Sequence, residues 1–172
     1  MEFFDVIRTR RSIRRFSDRP VEEEKLRAVL EAADAAPSAG NLQGYEIYVV
    51  GDPAARKRLA DTLPEMAFFT AVPVVLAFCA DPERSAVRYA DRGRTLYAVQ
   101  DATIACTQAM LAAAALGLAT VWVGAFQEQA VSAALNLPAA LRPVALLPLG
   151  YAAETVEPRA RRPLKDIVHH VK

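Results

Sequence analysis

The chain has few of the residues on which most enzyme chemistry depends. Its 172 residues include two histidines, two cysteines and one tryptophan. His169 and His170 stand side by side near the C-terminus. No third ligand lies at metal spacing, which argues against a metal centre. A Ser-His-Asp hydrolase would have to draw on one of these two histidines, and no G-x-S-x-G elbow accompanies them. Cys79 and Cys106 sit in apolar stretches without a C-x-x-C pair. They are expected to be small buried hydrophobes in a reducing compartment. Seven glycines form neither G-x-G-x-x-G nor G-x-x-x-x-G-K-[ST], so neither fingerprint of a nucleotide cradle is present. Charge of one sign is missing too: 21 Lys and Arg against 20 Asp and Glu leave a formal net charge of +1. That excludes a disordered polyelectrolyte and a generally basic nucleic-acid coat.

Long apolar runs are scarce. The most apolar stretch, Leu96 to Leu118, is interrupted by Gln100, Asp101, Thr103, Thr107 and Gln108. It is expected to be an alanine-rich helix of a core or subunit interface rather than a membrane span. Gln100 and Asp101 are expected to form a satisfied buried pair or interface contacts. The N-terminus carries acidic Glu2 where a signal peptide would be basic. The reading is a soluble, cytoplasmic chain forming one domain over residues 1–172.

Patterning places the elements. Phe3, Phe4 and Ile7 share a face of a short helix at 2–9. Pro20 opens a second helix with Glu22, Glu23 and Glu24 in its first turn. Leu26, Val29, Leu30 and Ala33 form its buried stripe, and Pro37 ends it. Tyr45 to Val50 reads as a strand, followed by a helix from Ala54 to Leu63. The run after Pro73 reads as a buried strand. Asp81 to Arg94 is a polar lead-in to a long helix over 95–117 closed by Gly117. A strand at Thr120 to Val123, a helix at Gln127 to Leu135 and a strand at Pro143 to Tyr151 complete a mixed α/β order. The tail beyond Ala152 is expected to be extended and to pack on a partner subunit.

Arginine is abundant, and it is placed unevenly. Arg8 to Phe16 reads R-T-R-R-S-I-R-R-F, and Pro158 to Leu164 reads P-R-A-R-R-P-L. Guanidinium forks match phosphate oxygens in bidentate fashion, so the two ends together suggest one anionic group. Arg10, Arg11, Ser12 and Arg14 would suit a phosphate with an attached polyol. Pro37 to Gln43 is a small-residue loop that can approach a flat ring, with amides at Asn41 and Gln43. Trp122 to Phe126 ends a strand with Gly124 and Ala125, where backbone can touch a ligand. Six arginines fall between Arg8 and Arg19, but no basic face or aromatic platform extends them into a nucleic-acid surface.

In order, R-R-S-x-R-x-F, A-P-S-A-G-N-L-Q, W-V-G-A-F, P-L-G-Y and P-R-x-R-x-P-L resemble the nitroreductase family of flavin-dependent oxidoreductases. The resemblance implies an α+β sandwich, with a central mainly antiparallel sheet flanked by helices. It implies a domain-swapped homodimer with FMN at the interface. Arg10, Arg11, Ser12 and Arg14, completed by Arg159 and Arg161, would hold the FMN phosphate and ribityl chain. Pro37, Ser38, Asn41 and Gln43 would contact the isoalloxazine from the other subunit, and Gly124 and Ala125 would lie near its reactive edge. No catalytic side chain is implied, because NADH or NADPH reduces the flavin and a nitroaromatic, quinone or similar acceptor reoxidises it in a ping-pong cycle. Alternatives are a flavin-binding protein for sensing or storage, or a member that cleaves flavin or removes halide. Many members read N-x-Q-P-W where this chain has Gly44 and Tyr45.

Overall fold

Strands buried on both faces read as continuous apolar runs, and two such runs build the centre of this protein. The computed structural model describes residues 2–63 and 65–171; Met1, Pro64 and Lys172 lie outside the description. The chain runs α1 (Phe3–Thr9), α2 (Glu23–Asp34), β1 (Tyr45–Val50), α3 (Pro53–Asp61), β2 (Val74–Ala80), α4 (Pro82–Arg92), α5 (Ala98–Ala115), β3 (Ala119–Thr120), α6 (Glu128–Leu135) and β4 (Arg142–Gly150). The strands form one sheet in the order β1-β2-β4-β3. All three pairings are antiparallel.

Side-chain alternation sorts the core into two layers. Leu76, Phe78, Leu147 and Leu149 point to one face, where Val29 and Ala33 of α2 and Ala102, Ala105 and Ala109 of α5 cover them. Val50, Val75, Ala77 and Leu146 point to the other, against Leu59 of α3, Phe69, Val72 and Val131 of α6. The outcome is the α+β sandwich expected from the resemblance. Small alanines on α5 let that helix lie close to the sheet. Its polar residues are absorbed locally: Thr103 donates to the Val99 carbonyl at 2.7 Å and Thr107 to that of Thr103 at 2.8 Å. No helix among the described residues is long and apolar enough to cross a membrane.

Three elements differ from expectation. The segment 81–94 is a helix, α4, not a lead-in. Asp81 caps it by accepting from the Arg84 N–H at 3.0 Å, with Pro82 in the first turn. The same Asp-Pro start opens α3, where Asp52 accepts from Ala55 at 2.8 Å, so the signal was present. The long helix begins only at Ala98, after a π-helical turn over Gly93–Tyr97. The strand at 120–123 is shorter, with Val123 bridged singly to Leu146.

The basic segment after α1 is tied to the sheet edge. Ser12 bridges Thr120, and Ile13 donates to the Thr120 carbonyl at 3.0 Å. Phe16 bridges Ala152, flanked by bonds from Ser17 to Tyr151 and from Ala153 to Arg15. Ile13 and Phe16 are buried while Arg14 and Arg15 are exposed. The segment is thus anchored by its two apolar residues and its bonds to the sheet edge, and the guanidinium groups between them are left in solvent.

Candidate functional site

The first half of the site lies where the two ends of the chain converge. Glu154 accepts from the backbone N–H groups of Arg14 at 2.6 Å and Arg15 at 3.0 Å. Sequence reasoning missed this residue, although an acid just after the last strand is a natural partner for bare N–H groups. Tyr151 adds a second tie, donating to Glu22 at 2.6 Å and stacking under the Arg19 guanidinium at 3.9 Å. Between these segments lies a cavity of about 510 Å³, lined by Arg10, Arg11 and Thr120 together with Glu154, Val156 and Glu157 of the tail.

Cations gather at this cavity. Arg10 is half-buried. Its guanidinium is held below the usual arginine range by burial first, then by the positive charges of Arg161 and Arg11. No carboxylate among the described residues forms a salt bridge with Arg10, Arg11, Arg14, Arg159 or Arg161. By contrast Arg94 and Arg142 are each matched by acids. Of the acids lining the cavity, Glu154 serves the Arg14 and Arg15 backbone, and neither it nor Glu157 forms a salt bridge with these guanidinium groups, which suits them to an added anion. Ser12 sits beside them at the sheet edge. Gly124 and Ala125 are exposed just past Val123, along the same chain stretch that pairs with β4.

The second half is the loop 37–44, which lies between α2 and β1. Gly40, Asn41 and Gln43 all take left-handed backbone, with φ of 58°, 58° and 45°. Such a run is unfavourable for residues other than glycine and persists only where contacts over-determine it. Those contacts are visible. The Ser38 hydroxyl accepts from the Gln43 N–H at 3.0 Å. The Gln43 side-chain amide donates to Asn41 Oδ1 at 2.8 Å. Arg84 of α4 donates to the Leu42 carbonyl.

Asp101 is the central clamp. It lies in the first turn of α5, is 2% exposed, and carries no cation partner among the described residues. Its two oxygens accept from the Ala39 N–H at 3.0 Å and the Gly44 N–H at 3.2 Å. The expected pairing with Gln100 is therefore incorrect: Gln100 is exposed, and Asp101 serves backbone donors instead. Each residue step turns the helix by about 100°, and here that step carries Gln100 out to the exposed side while Asp101 faces the loop.

The Gly44 departure is explained at the same place. A Cβ there would lie 2.2 Å from the Ser85 hydroxyl and 3.2 Å from Asp101 Oδ2. Ser85 is wholly buried and its hydroxyl has no hydrogen-bond partner among the described residues. An orphaned buried hydroxyl costs about 1–3 kcal/mol. Ser85→Ala is therefore expected to raise the melting temperature by a few degrees, about 2–4 °C per kcal/mol for a chain of this size. A fall in melting temperature on calorimetry would show that the hydroxyl is satisfied after all.

Both thiols are inert by burial, which pushes Cys79 up to about 12 and raises Cys106 as well. No group of three or more metal-ligating side chains is assembled among the described residues. No hydrogen bond or ion pair among the described residues joins the 37–44 loop to the arginine segments within one chain.

Comparison with known proteins bears on both halves. A family model described as the nitroreductase family matches residues 7–67 and 60–151. The NADH dehydrogenase of Thermus thermophilus is 34% identical over 186 residues, spanning 92% of this chain and 91% of its own. The FMN reductase (NAD(P)H) of Bacillus subtilis is 31% identical over 172 residues, spanning 92% of this chain and 69% of its own. A crystal structure of a nitroreductase family protein from Clostridium difficile 630 superposes with a TM-score of 0.87 at 32% identity, covering 99% of this chain and 98% of that one.

Proposed function

The chain belongs to the nitroreductase family, and from that premise we propose that it is an FMN-dependent NAD(P)H oxidoreductase whose cofactor is held by both chain ends and a loop of a second subunit. The observation that carries the reading is the pair Arg10 and Arg11 lining the cavity between the termini without a salt bridge among the described residues, with the positive charge of Arg161 felt at Arg10. Its chemistry fits a phosphate dianion, and Ser12 beside it fits the ribityl hydroxyls.

FMN held there would supply two-electron redox chemistry between NADH or NADPH and an acceptor such as a nitroaromatic or quinone. The protein's part is to bind and orient. Arg10, Arg11, Ser12 and Arg14 fix the phosphate end, with Arg159 and Arg161 closing over it. Pro37, Ser38, Asn41 and Gln43 set the plane of the ring. Gly124 and Ala125 leave room at its edge because they carry little or no side chain. No general acid or base is required of any side chain. A bound flavin of this kind would support a ping-pong cycle, with reductant and acceptor served in turn.

The two half-sites are tied separately within one protomer, which supports a homodimer that brings them together. Apolar side chains left exposed at both ends support it too. Phe3, Phe4 and Ile7 of α1 are exposed, as are Leu164, Ile167, Val168 and Val171 of the tail. An isolated protomer would leave these in water, whereas a swapped tail would cover them. The sandwich, both core layers and the terminal segments act as one domain.

Purified protein is expected to be yellow, to release FMN on denaturation, and to bleach under anaerobic NADH or NADPH. Menadione or a nitroaromatic should restore the colour, with parallel double-reciprocal plots. Protein that stays yellow under both nicotinamides would indicate sensing or storage. Colourless protein that also fails to take up added FMN would remove the reading.

A further inference from the structure

Resting on that reading, we propose that Arg88 on α4 binds the phosphate groups of the dinucleotide reductant at the rim of the ring-binding loop. Three observations place it there. The Arg88 head and the Tyr89 hydroxyl both crowd Gly40: a Cβ on that residue would lie 3.0 Å from Arg88 Nη1 and 2.7 Å from Tyr89 Oη. Arg88 therefore stands at the edge of the loop assigned to the flavin ring, which the nicotinamide must reach.

Charge is the second observation. Arg84 and Arg88 lie one turn apart on α4 ahead of the break at Ala90, and Arg92 and Arg94 follow beyond it. The segment from Glu83 to Arg94 holds four arginines against two acids, and the loop 37–44 has no charge at all. Arg94 takes both acids, pairing with Glu83 at 2.9 Å and Asp91 at 3.3 Å. Arg84 is used by the Leu42 carbonyl, and Arg92 donates to the Tyr97 hydroxyl at 2.9 Å. Arg88 alone of the four forms no hydrogen bond or ion pair among the described residues, and only faces the Tyr89 ring at 5.5 Å. A bidentate donor with free N–H groups next to a redox site is suited to a diphosphate.

The third observation is the scaffold. Ala90 holds φ 46° and ψ −133°, a conformation that alanine rarely adopts. It leads directly into the π-helical turn at Gly93–Tyr97. Tyr97 packs edge-on against Tyr89 at 5.0 Å and accepts from Arg92. Strain and π-turns of this kind are retained where they aim a side chain. Here they aim the Arg88-Tyr89 pair at Gly40.

The test is steady-state kinetics of the FMN-loaded enzyme with a neutral quinone as acceptor, comparing wild type with Arg88→Ala and Arg88→Lys. FMN content is read first. Arg88→Ala is expected to keep its FMN and raise the KM for NADH and NADPH about tenfold, as for one lost charge-assisted hydrogen bond. The KM for the quinone and kcat should hold. The salt dependence of the reductant KM should weaken. Arg88→Lys should recover part of the loss, because it keeps the charge without the fork. An unchanged reductant KM in FMN-loaded Arg88→Ala overturns the proposal, as does an equal rise in the quinone KM. A wild type that binds no FMN overturns the underlying reading instead, and with it the role of Arg88.

Discussion

Arg10→Ala combined with Arg161→Ala is expected to empty the protein of FMN while leaving it folded. Each guanidinium can supply a charge-assisted contact worth about 1.5–3 kcal/mol, so losing two weakens binding by about 10²- to 10⁴-fold. The fold should survive because neither side chain holds it. Ile13 and Phe16 are the buried anchors of the first segment, and Glu154 binds its backbone. Removing Arg10 also removes the cation whose proton affinity is lowered by burial and by Arg161 and Arg11. The FMN-free double variant should therefore melt no lower than FMN-free wild type. Flavin fluorescence titration and calorimetry on the FMN-free forms check both halves. Unchanged flavin occupancy would sink the idea of a phosphate shared by the two ends.

The second large effect comes from a substitution toward the family's own pattern. Gly44→Pro should destabilise this chain by about 3–5 kcal/mol, combining overpacking with loss of a hydrogen bond to a charged group. Proline has no N–H to give Asp101 Oδ2, which now accepts from Gly44 at 3.2 Å. Proline would also bring a Cβ to the point 2.2 Å from the buried Ser85 hydroxyl. A melting temperature lower by about 10 °C is expected at this chain length. Gly44→Ala with Ser85→Gly separates the terms, since it relieves the clash and keeps the N–H. If Gly44→Pro melts like wild type, Asp101 does not clamp the loop.

Much of this protein was legible before any coordinates. Each strand and each α-helix carried a local mark, whether an apolar period, a capping acid or a proline, and all of the α-helices but one were read from it. The miss at α4 came from a polar, arginine-rich surface whose stripe is charged rather than apolar, although the Asp81-Pro82 cap was available. The extent of the last short strand was overestimated because its apolar residues are buried by a single bridge rather than a ladder.

The functional residues divide in the same way. Motif order alone put forward the arginine segments, the 37–44 loop and Gly124-Ala125 as candidates, because each is a contiguous run. Asp101 and Glu154 were not legible as site residues, since their partners are backbone N–H groups far away in sequence. The sequence by itself determined the family and most of the order of the elements, both of which depend on residue type and local spacing. Only the tertiary structure decided that Arg10 meets Arg161, that Asp101 faces the loop and not Gln100, that Gly44 must be bare and that Arg88 is left unmatched. Those outcomes depend on how helices and strands pack across long separations, which local periodicity does not encode.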